Sequence, residues 1–375
     1  MKKIIYLDNN ATTALDCEVL AAMNREFAAP PHNPSSIHSL GQEAKKILTE
    51  SRELIANFLG VAPSEIFFTS GGTESMNLLI QGLFSACHAH IIGSLTDHAS
   101  IYQPLLALQK GGAEVTFLSY PTTHAVEKAL RSNTHLIVLS AINSETGDIF
   151  DIEEIAKVAQ FSHIPLIIDS VALLGKGACN IPKGVVGMGF SSHKIHGPPG
   201  AGFIFLRQGI TLSPIFHGGG QERTLRSGTE NLPAIVGMAK AISLIKKKHY
   251  KTMDDLRQFF ESRLKELLPT IEVNNVGKRI SNTSNIYFPK VDNESLIIAL
   301  DREGVIASGG AACSSGATTP SRVLVAMGFS KERARCSVRF SLSRMNTPEE
   351  VEKATEVIAG CVQRLEGVCS KNEEC

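Results

Sequence analysis

From about residue 65 the chain alternates short apolar runs with amphipathic stretches, and the apolar runs stop at clusters of small or polar residues. Ile66-Phe-Phe-Thr69 is followed by Gly71-Gly72 and a helical stretch through Phe84. Ile91-Ile92 precedes a helix over Tyr102–Lys110, and Val115–Leu118 precedes one around Ala125–Arg131. His135 to Ile142 is the clearest strand, its apolar run being that of a sheet covered on both faces. Asp151-Ile-Glu-Glu154 resembles a capping box opening a helix to about Phe161. Leu166–Asp169, Val186–Phe190 and Ala201–Leu206 read as three further strands. Alternating β and α elements of this kind imply an α/β fold with a mainly parallel, doubly covered sheet.

The pattern changes after Pro233. Ala234 to Leu268 holds no Gly beyond Gly237 and repeats apolar residues at helical spacing, so one long or broken helix is expected. Its Lys246-Lys-Lys248 run reads as a solvated helix face. Ser284–Phe288, Val305-Ile306 and Ser337–Ser341 then read as strands of a smaller α+β domain, closed by a helix from Pro348 to about Leu365. A length of 375 residues suits two domains at roughly 150 residues each. The expected division is a large domain over 15–250 and a small one over 1–14 and 251–375. A core of this size needs neither disulfides nor metals.

Charge and cysteine usage narrow the function classes. Lys plus Arg number 37 and Asp plus Glu number 37, a balance unlike that of a nucleic-acid protein. The apolar run Ile4–Leu7 stops at Asp8, too short for a signal peptide, and no stretch approaches the ~20 apolar residues of a membrane span. The expectation is a cytoplasmic protein with no membrane or nucleic-acid partner. The eight cysteines form no C-x-x-C pair and no zinc spacing with histidine, which points to free thiols and no metal site.

Ligands of an open parallel sheet bind outside the carboxyl ends of its strands. There the chain places Thr69-Ser-Gly-Gly-Thr-Glu74, Asp97-His98, Asn143-Ser-Glu-Thr-Gly147, Asp169 and Ser191-Ser-His-Lys194. Gly71-Gly72-Thr73 at a strand-to-helix junction offers backbone N–H groups and a helix N-terminus to an anion. Neither G-x-G-x-x-G nor G-x-x-x-x-G-K-[ST] occurs, so a single phosphate is the better reading. Lys194 lies among Ser192, His193, His196 and glycines rather than on a solvated helix. An amine with an ordinary pKa of about 10.4 becomes a nucleophile only when neighbours or burial lower it. With Asp169 and a phosphate cradle it fits pyridoxal 5'-phosphate, which needs a lysine for its aldehyde and an anion at its ring nitrogen. His98 could stack on the ring or transfer protons. Cys313, centred in Ser308-Gly-Gly-Ala-Ala-Cys-Ser-Ser-Gly316, reads either as an incidental thiol in a flexible loop or as a nucleophile that must travel between two positions.

These residues resemble those of pyridoxal-phosphate cysteine desulfurases, the NifS/IscS-like group of the class V aminotransferases. The matches include Tyr6-Leu-Asp-Asn-Asn-Ala-Thr-Thr13, Asn33-Pro-Ser-Ser-x-His38, the glycine turn, Asp97-His98, Asn143-x-Glu-Thr-Gly147 and Asp169. They continue through Ser191–Lys194, His217-Gly-Gly-Gly220, Arg226-Ser-Gly-Thr229, the Cys313 loop and Arg339-Phe-Ser-Leu-Ser-Arg344. The resemblance implies an aspartate aminotransferase-like large domain. It implies that Lys194 holds the cofactor, Asp169 pairs with its ring nitrogen, and His98 stacks on the ring and assists proton transfer. Gly72, Thr73, Ser191 and His193 would bind the phosphate, with Thr229 reaching it from the neighbouring subunit of a homodimer. Arg339 would clamp the substrate carboxylate, with Asn143 and Asn33 also binding, and Cys313 would take sulfur from L-cysteine and release L-alanine. An iron–sulfur scaffold or another sulfur acceptor is the expected partner. Ala172 stands where the family places Gln, His196 and Pro199 replace Tyr and Lys, and the chain lacks the family's longer tail. Ala172 leaves open a weakly active scaffold; a selenocysteine lyase or an aminotransferase is the other alternative.

Overall fold

The computed structural model describes residues 3–84, 89–310 and 320–373. Its strands are β1 (Ile5–Tyr6), β2 (Ile66–Thr69), β3 (His90–Ser94), β4 (Glu114–Leu118), β5 (Thr134–Ser140), β6 (Leu166–Asp169), β7 (Val185–Ser191), β8 (Gly202–Leu206), β9 (Glu272–Val273), β10 (Thr283–Tyr287), β11 (Val305–Ile306) and β12 (Ser337–Ser341). The helices are α1 (Cys17–Phe27), α2 (Ser39–Leu59), α3 (Gly72–Leu83), α4 (Ala99–Lys110), α5 (Thr123–Ala129) and α6 (Ile152–Phe161). They continue with α7 (Leu232–Ser243), α8 (Lys247–Leu267), α9 (Asn293–Glu303), α10 (Arg322–Ala326), α11 (Lys331–Arg335) and α12 (Pro348–Glu373).

The larger compact unit comprises Thr13–Ala141 and Phe150–Ile245. Its seven-stranded sheet runs β2-β8-β7-β6-β5-β3-β4. β8 is antiparallel to both neighbours, and the remaining pairs are parallel. The sheet is therefore mainly parallel, as expected, but β8 runs against it. A five-residue apolar strand carries no mark of direction. Leu136, Val138, Ile91 and Ile167 are fully buried, as an all-covered sheet requires. Helix α3 lies against the sheet because β7 carries glycines beneath it. A Cβ on Gly187 would stand 2.6 Å from Leu79, and one on Gly189 2.7 Å from Met76 Sδ. Burying Leu79 there is worth about 1.5–3 kcal/mol, and any side chain at either glycine forfeits that packing.

The smaller unit comprises residues 1–12, 142–149 and 246–375. β10 lies between β12 and β9 in an antiparallel sheet, and β1 pairs with β11 in parallel. Leu256, Phe260 and Leu264 of α8, Phe288, Phe340, and Val351 and Ile358 of α12 share its core. The sequence reading placed residues 142–149 with the large domain, but they group with this unit. Asp148 Oδ1 accepts the N–H groups of Val276 and Gly277 at 2.8 and 2.6 Å, and Ile149 N–H donates to the Lys278 carbonyl at 2.8 Å. The helical stretch after Pro233 is the broken form, α7 and α8, with no Gly or Pro at the break.

Two long helices, α1 and α2, went unanticipated. Among the described residues no helix is long and apolar enough to cross a membrane, and no group of three or more His, Cys, Asp or Glu is placed to hold a metal. Among the described residues Cys17, Cys179, Cys336 and Cys361 form no disulfide.

Candidate active site

At the end of β2 the chain turns through Ser70 and Gly71 into α3. Gly71 has φ +152°, a backbone that favours glycine. Gly72 is forced by space, since a Cβ there would lie 2.7 Å from Val171 Cγ2. No side chain caps the helix, which leaves the amide end and positive dipole of α3 available to an anion. Thr73 is exposed in that first turn, and a Cβ on Gly71 would be 3.6 Å from Ser191 Oγ. The Gly71-Gly72 turn thus lies against Ser191, with Thr73 the next residue of the helix.

Glu74 would oppose an anion here, but its charge is spoken for. Its Oε2 accepts Ser70 N–H at 2.9 Å, and Arg226 Nε donates to Oε1 at 2.8 Å. Burial raises the carboxyl's pKa, but the hydrogen bonds from Arg226 and Ser70 outweigh it and hold the group below the usual carboxylate range. Arg226 leads to Thr229, which with Phe216 and His217 lines an open cleft. That loop carries three consecutive left-handed residues, Glu222, Arg223 and Thr224, each costing about 1–3 kcal/mol. What holds them is Arg52 of α2, whose guanidinium grips the buried Glu222 carboxylate with two bonds of 2.8 and 2.6 Å. Glu222 also accepts the Phe68 N–H. Sequence reasoning missed this clamp, because its partners stand 170 residues apart.

Lys194 sits in a short turn directly after β7. Thr13 fixes that turn: its N–H and hydroxyl both donate to the His193 carbonyl at 2.9 Å, and its hydroxyl accepts His196 N–H at 2.7 Å. His196 takes the left-handed backbone (φ +66°) and bonds through Nδ1 to the Ala14 carbonyl at 2.8 Å. This gives the unfamiliar His196 a structural task beside the lysine. Burial, with the Lys194 and Lys176 cations, lowers the His193 pKa to about 4. The unfolded chain takes up that proton near 6.5. The stability involved is therefore complete above pH 6.5 and is lost as pH falls toward 4. A bound anion reverses the electrostatics. Histidine ¹⁵N NMR should show His193 titrating near pH 4 and moving upward when inorganic phosphate is added; an ordinary midpoint that ignores phosphate contradicts this.

Asp169 ends β6 and is buried. Its Oδ1 accepts Val171 N–H at 2.9 Å and its Oδ2 the Ser100 hydroxyl at 3.2 Å. Burial pushes its pKa up, opposed by His98, these hydrogen bonds and Lys194. His98 caps α4, its Nδ1 accepting Ser100 N–H at 3.1 Å. Asp97 beside it accepts Ser94 N–H and Ser140 N–H, which ties the ends of β3 and β5 together; burial raises its pKa to about 7.

In the smaller unit Arg339 lies on β12 with its side chain 2% exposed. Nη2 donates to Asp8 Oδ1 at 2.7 Å and Nη1 to the Ser144 carbonyl at 3.2 Å. Among the described residues its buried Nε has no hydrogen-bond partner. A guanidinium fork whose Nε is still unspent suits a carboxylate. Asp8 belongs to the Tyr6–Thr13 motif, and its carboxylate is the ion-pair partner of this guanidinium. Asn143 uses Oδ1 to accept the N–H groups of Glu145 and Thr146, and so builds its own turn. Asn33 does likewise for Ser35 in the larger unit. Cys313 lies outside the described residues.

The residues of the larger unit satisfy the three demands of pyridoxal phosphate. There is an uncapped helix start for the phosphate, a lysine for the aldehyde, and a buried carboxyl that needs a cationic partner to ionise. Fold and site define a pyridoxal-phosphate enzyme. The Aminotransferase class-V pattern matches residues 5–354. "Cysteine desulfurase 2" of Trichormus variabilis is 38% identical over 97% of this chain and 94% of its own. "Cysteine desulfurase IscS" of Dictyoglomus turgidum is 36% identical over 100% of this chain and 98% of its own. A solved NifS-like protein, 32% identical, superposes with a TM-score of 0.89 over 97% of this chain and 100% of that one. The chain belongs to the class-V aminotransferase family, in its cysteine desulfurase group. Its fold is the α/β fold of the NifS-like transferases.

Proposed function

We propose that the protein removes sulfur from L-cysteine, giving L-alanine and a persulfide on Cys313 that passes to an acceptor for iron–sulfur assembly or other sulfur transfer. The balance is L-cysteine plus Cys313–SH giving L-alanine plus Cys313–S–SH. One sulfur atom moves, and no outside oxidant or reductant is consumed. The observation that carries this reading is the uncapped glycine turn, Asp169 and Lys194 set at the ends of strands of one sheet.

When bound, pyridoxal phosphate supplies an aldehyde for the substrate's amino group and a ring that stores an electron pair. Gly72, Thr73, Ser191 and His193 hold the phosphate, and Thr229 serves the neighbouring subunit of a homodimer. Asp169 keeps the ring nitrogen protonated. Lys194 takes up and returns protons at Nζ, and His98 does so at its imidazole. Arg339 orients the substrate through its carboxylate, with Asn143 and Asn33 as further substrate contacts. The Cys313 thiolate attacks the substrate sulfur. Ala172 offers no side-chain hydrogen-bond donor where the family has Gln, so the cofactor's phenolic oxygen would lack that support. The setting is cytoplasmic, where acceptor thiols stay reduced.

With L-cysteine and a thiol reductant, alanine and sulfide should form in equal amounts. A keto acid formed without alanine would make the protein an aminotransferase instead.

A further inference from the structure

We propose that Ser100 is a positioning residue whose hydroxyl couples the proton of Asp169 to the state of the His98 imidazole. Ser100 is buried in the first turn of α4. Its backbone N–H donates to His98 Nδ1 at 3.1 Å. An amide can only donate, so Nδ1 is the bare nitrogen of the neutral ring and Nε2 carries the proton. The Ser100 hydroxyl lies 2.8 Å from the same Nδ1 and 3.2 Å from Asp169 Oδ2, yet holds a single proton.

Two arrangements satisfy this geometry. With Asp169 protonated, its O–H donates to Ser100 Oγ, and the hydroxyl donates to His98 Nδ1. With Asp169 ionised, the hydroxyl turns to the carboxylate, and Nδ1 keeps the backbone N–H. Ionising Asp169 therefore removes a donor from Nδ1 and places a negative charge behind the ring. Both effects make His98 a stronger base. A cationic ring nitrogen held by Asp169 would thus raise the basicity of the histidine assigned to proton transfer.

Other groups act on this pair. Val171 N–H bonds to Asp169 Oδ1, Asp97 stands close enough to oppose its ionisation, and Lys194 favours it. Those act through space or on the other oxygen, so they survive loss of the Ser100 hydroxyl. The residues involved come from α4 and β6, 69 positions apart, and no local pattern links them.

The catalytic meaning rests on the proposed roles of Asp169 and His98, but the coupling can be tested without turnover. Histidine ¹⁵N NMR on the full chain, freed of cofactor, gives the His98 tautomer and titration midpoint. Asp169→Asn should shift that midpoint in the wild-type background. In Ser100→Ala the shift should fall to less than about half, and Ser100→Thr should restore it. Ser100→Cys replaces the alanine variant if that one fails to fold. In the loaded enzyme the pH dependence of the cofactor's visible absorbance should move in Ser100→Ala and return in Ser100→Thr. An Asp169→Asn shift of equal size with and without the hydroxyl would overturn the proposal. Loss of sulfur transfer alone would instead count against the proposed function.

Discussion

Replacing Lys194 with alanine is expected to lower alanine formation from L-cysteine by at least ~10³-fold, with the chain still folded. The side chain lies in a turn held by Thr13, and those bonds run to the main-chain carbonyl of His193 and the N–H of His196. Truncating Lys194 leaves them untouched. What disappears is the group proposed both to bond the aldehyde and to carry protons at Nζ. General acid–base catalysis alone accounts for roughly 10²–10⁴ in rate, and the covalent role adds to that. The variant should keep phosphate affinity through the α3 turn but lose the cofactor on gel filtration. Borohydride should fix cofactor to the wild type and not to the variant. Turnover within tenfold of wild type would remove Lys194 from the chemistry.

The second large effect is at Arg339. Its guanidinium is buried and paired with Asp8, so Arg339→Ala does two kinds of damage. Asp8 is left as an unpaired, mostly buried carboxylate, which costs about 3–5 kcal/mol of stability. On the role proposed for Arg339, the substrate carboxylate would also lose its fork, at about 2–5 kcal/mol, or roughly 30- to 4,000-fold in kcat/KM. Arg339→Lys separates the two. An ammonium keeps the charge beside Asp8, but not the planar geometry that bonds Asp8, Ser144 and a carboxylate together. We expect it to melt near wild type yet lose about 10- to 100-fold in kcat/KM, mostly in KM. Wild-type kinetics in the lysine variant would show that Arg339 is structural only.

The contrast between these sites and the rest of the chain shows what a sequence can reveal. The placement of Lys194, Asp169 and the Gly71-Gly72 turn at strand ends was legible because short apolar runs marked the strands. Helix α2 was legible in principle. Ala44, Leu48 and Ile55 keep helical spacing, and Gly60 ends it in the left-handed conformation at φ +70°. The two-residue strands β1 and β9 are too short to show any period. Arg52 with Glu222, residues 142–149 with 276–280, and Ser100 with Asp169 are pairings across long stretches of chain. Periodicity reports the near neighbourhood of a residue; these bonds form only once the sheet has set the distances.

The eight cysteines, which form no framework in the sequence, provide the most direct test. Burial pushes the Cys179 thiol up to about 12, leaving it inert at neutral pH. Full-length protein loaded with pyridoxal phosphate should be given L-cysteine without reductant, digested, and its cysteine peptides weighed. One extra sulfur is expected on the Cys313 peptide of the wild type and none in Lys194→Ala. Alanine formed with no added sulfur on Cys313, or added sulfur on another cysteine alone, would contradict it.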